Sequence, residues 1–599
     1  MIVRKSTLQE KPKPKNVWGW IPTLYFAEGL PYVIVITVSV IMYKRLGISN
    51  ADIALYTSWL YLPWVIKPLW SPVVDLFKTK RYWITTMQFI IGAGMAGVAL
   101  TIPAPDFFQF TLLFFWLLAF SSATHDISAD GFYMIALNES QQSFFVGIRS
   151  TFYRIAMVFG QGLLVILAGY LESSFSVSPA EVKVIANPQK FFEKTIQVDS
   201  VPVKSLPGSL RVITKPSKLE VSTKPITKES LDFYTNFARK FNIMNGFTAD
   251  ELIPPDTSIN NELVGNVGIV KFHLSKKPDD GDEYTVNLDY FEGNDGISVI
   301  EGKTFKFTSH NWNKPAFAVI QLDPSIQQKA EAVFKIQSEK IPIAWSFTFA
   351  TAAVLFILFF VYHRFILPQP ANDKSAARSY SSSMMKEFFR TFFRFFEKEK
   401  ILIVIGFLLL YRLGESQLVK MASPFMLDPR SAGGLGLTTS DVGFIYGTIG
   451  IIALVFGGIL GGFAISRNGL KKWLWWMLIA INLPDLVYVY MSYVQPVDKW
   501  IIYACVAIEQ LGYGFGFTAY TIYMIYLSEG EYKTSHYAIA TGFMALGMMV
   551  PGMFSGIIQE AIGYKHFFVW VCVATIPSFI IAKFIPINAL FGKKKMEVE

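Results

Sequence analysis

Apolar stretches of roughly 20 residues recur along most of the chain, each long enough to cross the ~30 Å of hydrocarbon in a bilayer. Composition agrees with that reading. Of 599 residues, 52% are hydrophobic, 16% aromatic and only 17% charged, with mean hydropathy +0.37, where a soluble domain carries about 25% charged residues. The expected class is an all-α polytopic membrane protein. Twelve spans are expected, at 17–43, 51–75, 82–104, 106–136, 145–171, 341–367, 399–427, 438–466, 471–493, 498–528, 534–562 and 564–590.

The charge pattern orients these spans. The net charge of +9 is carried largely in short loops, as in "KTKR" (78–81), the segment 363–400, "SRNGLKK" (466–472) and the terminal "KKK" (593–595). These fall on one side, whereas "PAPD" and "VQPVD" on the other side are poor in basic residues. Cytoplasmic loops favour Lys and Arg, so both termini are expected in the cytoplasm, and nucleic acid is not an expected partner. The start "MIVRKSTLQEKPKPK" leads into a span too long for a signal-peptide core, and no small-residue cleavage site follows it. Cys505 and Cys572 lie inside apolar stretches, a spacing that suggests neither a metal site nor a disulfide framework, and no cofactor is expected.

The expected domains are an N-terminal half with spans 1–5 (1–171), a soluble insert (172–340), span 6 (341–367), a linker (368–398), spans 7–12 (399–590) and a tail (591–599). The insert must lie outside the cytoplasm, in the periplasm of a bacterial inner-membrane protein. "VGIVKFHLS", "EYTVNLDYFEG", "ISVIEGKTFKFT" and "PAFAVIQLD" alternate apolar and polar residues as half-buried strands do. "KESLDFYTNFARKFNIMNG" and "PSIQQKAEAVFKIQSEK" read as helices, so an α+β or β-rich insert is expected. The linker stretch "SSSMMKEFFRTFFRFFEKEK" reads as an amphipathic helix on the membrane surface. Six spans on either side of such a loop suggest an internal duplication, common in secondary transporters.

A charge at the bilayer centre costs about 2.5–3.5 kcal/mol on insertion scales, so charges within the spans should face a protein interior or an aqueous cavity. Those singled out are Glu28, Lys67, Asp126, Asp130, Arg154, Arg412, Glu415, Lys420, Asp485 and Glu509. Asp126 and Asp130 are four residues apart and share a helix face; Arg154 on the next span is their expected counter-ion. That pairing serves either structure alone or the handling of protons and substrate. Arg412 and Glu415 neutralise one another near the surface on the bland reading. Glu28, near the midplane in "FAEGLPYV", has no partner in its own span, and burial without a fixed cation favours a protonated carboxyl. It is thus either a proton carrier or a hydrogen-bonded structural acid. His125 is either a packing residue or part of a proton relay.

Several motifs resemble one family. The loop copy "GFAISRNGLKK" keeps Gly462, Arg467, Gly469 and Lys471 of a major facilitator loop motif, with Ser466 where the acid belongs. "SPVVDLFKTKR" keeps Asp75 but lacks both glycines. "KPLWSPVVD" (67–75), "THDISADGFYM" (124–134), "YRIAM" (153–157), "LYRLGESQLVKMASPFML" (410–427) and "IEQLGYGFGFTAY" (508–520) resemble the AmpG-like muropeptide permeases of the major facilitator superfamily. The related acetyl-CoA transporters share part of the pattern. The resemblance covers nearly all the spans and excludes 172–340.

It implies a 12-span (6+6) fold and proton-driven import of N-acetylglucosaminyl-anhydro-N-acetylmuramyl peptides. Glu28, Asp126 and Asp130 would couple protons. Lys67, His125, Arg154, Arg412, Glu415, Lys420 and Glu509 would meet substrate, and Asp75, Arg467 and Lys471 would form a conformational latch. Expected partners are an anionic amino-sugar peptide, protons, the bilayer and a possible extracytoplasmic protein at the insert. Three departures leave room for another substrate: Glu28 replaces a small polar residue, Lys420 adds a cation, and the insert is foreign to the family plan. A carrier of another bulky anion, such as a CoA ester or oligosaccharide, therefore competes with the leading reading. So does a non-transporting sensor acting through the insert, although retained charges in both halves argue against it. No nucleophile–base or phosphate-binding pattern suggests an enzyme.

Overall fold

The computed structural model describes residues 16–174, 177–190, 205–206, 210–248, 263–278, 284–373, 390, 392–529, 533–588 and 591. Two compact units emerge. One comprises Met1–Ala168, Trp345–Phe425 and Thr439–Glu599; the other comprises Gly169–Ala344 and Met426–Thr438.

In the first unit, α1 (Val17–Arg45) is followed by two shorter helices, α2 (Asn50–Trp59) and α3 (Leu62–Phe77). The expected span 51–75 is therefore broken at residues 60–61. Pro63 sits in the first turn of α3, where its missing N–H costs nothing, and this favours a fresh helix start over a continuous one. Then come α4 (Lys80–Thr101), α5 (Phe107–Ala136) and α6 (Ser140–Ser174). Beyond the insert, whose single long helix takes the label α7, lie α8 (Ile341–Ile366), α9 (Ile401–Leu427), α10 (Thr439–Asn468), α11 (Leu470–Val494), α12 (Lys499–Leu527) and α13 (Ser535–Ala582). Ten of these stretches, all but α2, α3 and α7, are long and apolar enough to cross a membrane among the described residues. α13 breaks at Gly563, whose φ of 73° lies outside the helical region. That glycine is the one residue separating the expected spans 534–562 and 564–590. The protein is an integral, multi-pass membrane protein.

Among the helix pairs along which the two halves of this unit meet, two are close contacts that glycine makes possible. A Cβ built on Gly447 of α10 would lie 2.0 Å from the Cα of Gly162 in α6, and one on Gly556 of α13 would lie 2.0 Å from the carbonyl oxygen of Asn50. Both members of the first contact sit in π-helical turns, Phe159–Leu164 and Ile445–Gly450. Such turns commonly mark functional positions. Around the second contact, Asn50 Nδ2 donates to Gln559 Oε1 (2.6 Å) and Tyr564 Oη (2.9 Å), and the Ala51 amide donates to Glu560 Oε1 (2.9 Å). All these contacts gather at the end of the spans where α1 finishes and α2 begins.

Most of the expected amphipathic linker helix lies outside the described residues. Of it, 392–396 are helical, with Phe395 buried and stacked on Phe543.

The insert is built on two sheets. One is ordered β3 (Lys218–Ser222), β1 (Val177–Asn187), β11 (Ala330–Glu339), β7 (Tyr284–Gly293), β9 (Thr304–Phe307). The other is ordered β2 (Val212–Lys215), β6 (Val267–Leu274), β10 (Ala316–Leu322), β8 (Ile297–Glu301). A two-stranded pair, β4 (Ile226–Thr227) with β5 (Leu263–Val264), completes it. Inward residues at every second position, such as Val184, Val286 and Phe334 from the first sheet and Val270, Phe272 and Ile320 from the second, form one buried core. α7 (Lys228–Met244) is where a helix is expected. It is tied to β10 by Asn242, which donates to the Phe317 carbonyl (2.8 Å) and accepts from its amide (3.0 Å).

The second expected helix is a correction. Its C-terminal part is strand β11, because Ala332, Phe334 and Ile336 alternate inward with period two and pair across both neighbouring strands. β1 and β11 are antiparallel, with Val177 opposite Ser338. The chain thus enters and leaves the insert on adjacent strands, about 5 Å apart. Replacing 177–339 by a short Gly-Ser linker is expected to leave the membrane unit folded. Gel filtration and thermal unfolding in detergent should then show a monodisperse protein whose midpoint matches the full chain; aggregation would mean that the helices depend on the insert.

Candidate transport site

Glu28 is carried by a stretch of α1 pressed against α6: a Cβ on Gly29 would lie 2.8 Å from the Tyr153 carbonyl oxygen. Its Oε2 is buried with no hydrogen-bond partner among the described residues. The charges that act on it are Asp130, Asp126, Lys67 and Arg149, from α5, α3 and α6.

The two α5 carboxylates do not share a partner. Asp126 Oδ2 accepts from Trp64 Nε1 (3.2 Å) and lies 3.5 Å from Lys67 Nζ. Asp130 Oδ1 lies 3.1 Å from Arg149 Nη2 and accepts from Tyr25 Oη (3.4 Å); the same guanidinium donates to that hydroxyl (3.1 Å) and covers the Tyr25 and Tyr133 rings. The expected pairing with Arg154 is therefore corrected. Asp130 stands seven residues before the turn at Leu137. Arg154 stands seventeen beyond it, some five residues or ~7.5 Å deeper than Arg149 at 1.5 Å per residue. Two acids four apart can also diverge on a helix when one neighbour, here α3, supplies its own cation. Glu28, Asp126 and Asp130 against Lys67 and Arg149 make three carboxyls and two cations. Glu28 and Asp126 are buried while the Asp130 side chain is 41% exposed, and the set is neutral when it carries one proton.

His125, expected near substrate, is not at the cavity. It is fully buried and its Nε2 lies 3.0 Å from the Gln88 amide nitrogen. Gln88 Oε1 meets His363 Nδ1 at 3.0 Å, and His363 Nε2 meets Thr23 Oγ1 at 2.9 Å. This polar chain joins α5, α4, α8 and α1. Sequence reasoning missed Trp64, Tyr25 and Arg149. Of these, Arg149 carries a readable signal, since it lies on the span after Asp130.

Between the halves lies a cavity of about 160 Å3. Arg154 and Gln161 line it from α6, Tyr32 from α1, and Arg412, Glu415, Tyr446, Tyr488, Glu509 and Tyr513 from the second half. Arg412 and Glu415 form a bidentate pair (Nε–Oε2 2.7 Å, Nη2–Oε1 2.6 Å), and Nη2 also donates to Tyr513 Oη at 2.9 Å. The pair is thus deep in the protein rather than near the surface. Glu509 accepts from the Gln510 side-chain amide at 2.9 and 3.2 Å. Lys420 is 2% exposed and does not line the cavity. It donates to Thr57 Oγ1 of α2 at 2.8 Å and sits 5.3 Å from the Tyr61 ring, so it bridges the halves. Of the proposed latch, Arg467 and Lys471 are exposed, and the Asp75 side chain lies outside what the structure describes.

Residues 27–227 match the family model described as the BT1 family. Relatives include "Putative transporter AmpG 2" of Rickettsia typhi, 27% identical over 247 residues (41% of this chain, 57% of the relative), and "Putative transporter AmpG 4" of Rickettsia conorii, 24% identical over 246 residues (40% and 56%). The matched region thus spans just over half the length of those relatives. Among solved structures, a nucleoside transporter NupG variant superposes with a TM-score of 0.53 at 10% identity, covering 94% of this chain and 99% of that one. A D-xylose-proton symporter gives 0.50 at 10% identity, covering 96% and 99%. The resemblance to AmpG-like permeases read from the motifs is shown by these matches, and the fold is the one shared by the two solved transporters.

Removing one member of a buried ion pair strands the other and costs about 3–5 kcal/mol, whereas replacing both by apolar residues is close to neutral. Arg412→Ala is expected to destabilise the protein by an amount of that order, read as a lower thermal midpoint in detergent. Arg412→Met combined with Glu415→Leu is expected to recover most of it.

Proposed function

We propose that this protein is a proton-coupled secondary transporter that imports muropeptide-like anionic saccharides, N-acetylglucosaminyl-anhydro-N-acetylmuramyl peptides, by alternating access. The observation that carries the reading is the excess carboxyl in the α1–α3–α5–α6 cluster, on the half that also presents Arg154 to the central cavity. One acid there must exchange a proton or accept a cation when the cluster meets water. Glu28 is the proposed exchanger, with Asp126 and Asp130 tuning it through Lys67 and Arg149. Arg154, with Arg412, Lys67 and Lys420 as the halves rearrange, would receive peptide carboxylates. Glu415 and Glu509 would accept from sugar hydroxyls or a peptide amine, and the cavity tyrosines offer ring faces to the sugars.

The chain is read as twelve crossings: α2 with α3 counts as one span and α13 as two. Both termini would lie in the cytoplasm of a bacterium and the insert in the periplasm. On that orientation the closed end at Asn50, Gly162, Gly447 and Gly556 faces outward. Asp75, Arg467 and Lys471 would latch the opposite, cytoplasmic face.

A carrier of a different anion in the same fold is the second reading. It is favoured by the cavity of about 160 Å3, well below the 300–1,000 Å3 of typical ligand sites. A muropeptide requires the halves to part further than a small sugar acid does.

Uptake of labelled muropeptide into proteoliposomes, with and without an inward proton gradient, tests the proposal. One pH unit is worth ~1.4 kcal/mol per proton, or about tenfold accumulation for a single-proton carrier. Glu28→Gln is expected to abolish that accumulation. Normal gradient-driven accumulation in the variant removes Glu28 from coupling, and uptake of a small sugar acid without muropeptide selects the second reading.

A further inference from the structure

The second half holds a carboxyl that the scheme above does not use. α11 is interrupted by a 3-10 turn at Leu483–Asp485 that carries Pro484. Asp485, at the end of that turn, is 1% exposed, and neither carboxyl oxygen has a hydrogen-bond partner among the described residues. The turn is pressed against α12: a Cβ on Gly512 would lie 2.7 Å from Pro484 Cγ and 2.1 Å from the Ala480 carbonyl oxygen. Glu509, almost one helical turn before Gly512, is brought to the same level and lines the cavity.

The groups facing Asp485 are all acidic or neutral. Among the described residues they are Glu509 from α12, Glu415 from α9, the Cys572 thiol from α13 and the Tyr488 hydroxyl of α11 itself. Arg412 is committed to Glu415 through both carboxylate oxygens, and Lys420 to Thr57. An ionised carboxylate buried without a counter-ion or a donor is prohibitively costly, so the group must be neutral or take up a cation. Among the described residues no group of three or more His, Cys, Asp or Glu side chains is placed to hold a metal ion. A proton satisfies the acid with one bond and no further ligand.

We propose that Asp485 is a second proton-binding site, one in the C-terminal half, that exchanges with water through Glu509 at the cavity. When the cavity is wetted, Asp485 releases its proton and is left as a carboxylate; when the halves close and dry it, the O–H bond re-forms. Tyr488, one turn further along α11, lies at the cavity and bonds Tyr446 Oη to Oη at 2.7 Å, so the polar lining continues past this point. Protein and cargo then share at least two exchangeable protons, one per half. The inference rests on the proposed carrier function for its transport readout alone.

The test uses the full chain in proteoliposomes. Infrared difference spectra across a pH titration are expected to show a protonated-carboxyl C=O stretch that is absent in Asp485→Asn and retained, shifted, in Asp485→Glu. With labelled muropeptide, Asp485→Asn is expected to lose gradient-driven accumulation far more than it loses exchange, with Asp485→Glu restoring part of it. A spectrum unchanged by Asp485→Asn overturns the proposal. So does a carboxyl band that responds to sodium at fixed pH, which would make the site a cation site. Should no muropeptide be transported by any form, the carrier reading fails while the infrared titration still decides whether Asp485 binds a proton. If Asp485→Asn does not fold, the band shift in Asp485→Glu decides it.

Discussion

A charge surrounded by hydrocarbon has to be matched by another charge, by donors or by a proton, and that requirement organises the membrane unit. In the N-terminal half the matching is done between helices. Lys67 of α3 reaches Asp126 of α5, Arg149 of α6 reaches Asp130, and Tyr25 of α1 joins the second pair. The paired charges lie on different helices, so separating α3, α5 and α6 would break both pairs. Glu28 is the term that does not cancel. The second half solves the same problem within one helix, since Arg412 and Glu415 are three residues apart on α9. The first arrangement is sensitive to helix movement and the second is not.

Glycine supplies the other constraint. Where α6 crosses α10 and where α2 meets α13, backbone lies against backbone, and no side chain could be added without displacing a helix. Contacts of this kind are either made or broken, with little between, because packed surfaces do not deform continuously. The hydrogen bonds at Asn50 and Ala51 use groups that water satisfies equally well. Separation at that end therefore exposes nothing that must stay dry. A cavity of about 160 Å3 behind these contacts is consistent with a state in which the halves have closed at one end.

Much of this was readable in the residues, and the failures have physical causes. Gly563 could be found as the gap between two apolar runs because helix continuity there fails for a residue adopting positive φ. The four-residue spacing of Asp126 and Asp130 suggests one shared partner, yet each acid meets a different cation. Depth along antiparallel helices depends on where the turn falls, and five residues of error exchange Arg149 for Arg154. β11 was read as a helix because Gln, Lys, Ala and Glu favour that conformation locally. Its period-two burial is enforced by strands up to about 150 residues away in sequence, a tertiary override no window can contain. His125 looked functional because histidine is rare in a span; Gln88 and His363, its partners in the fold, lie on distant segments.

The bridge between halves at Lys420 follows from the same electrostatics. Its ammonium is buried and donates to a neutral hydroxyl, Thr57 Oγ1, with the face of Tyr61 beside it. A ring face and one hydroxyl compensate an ammonium less well than a carboxylate does. Thr57 belongs to α2 and Lys420 to α9, so any motion that parts these helices takes away the hydrogen bond that the ammonium makes among the described residues and leaves the cation to water or to an anion. The contact across the halves is thus weaker than the one an anion would make with the same ammonium.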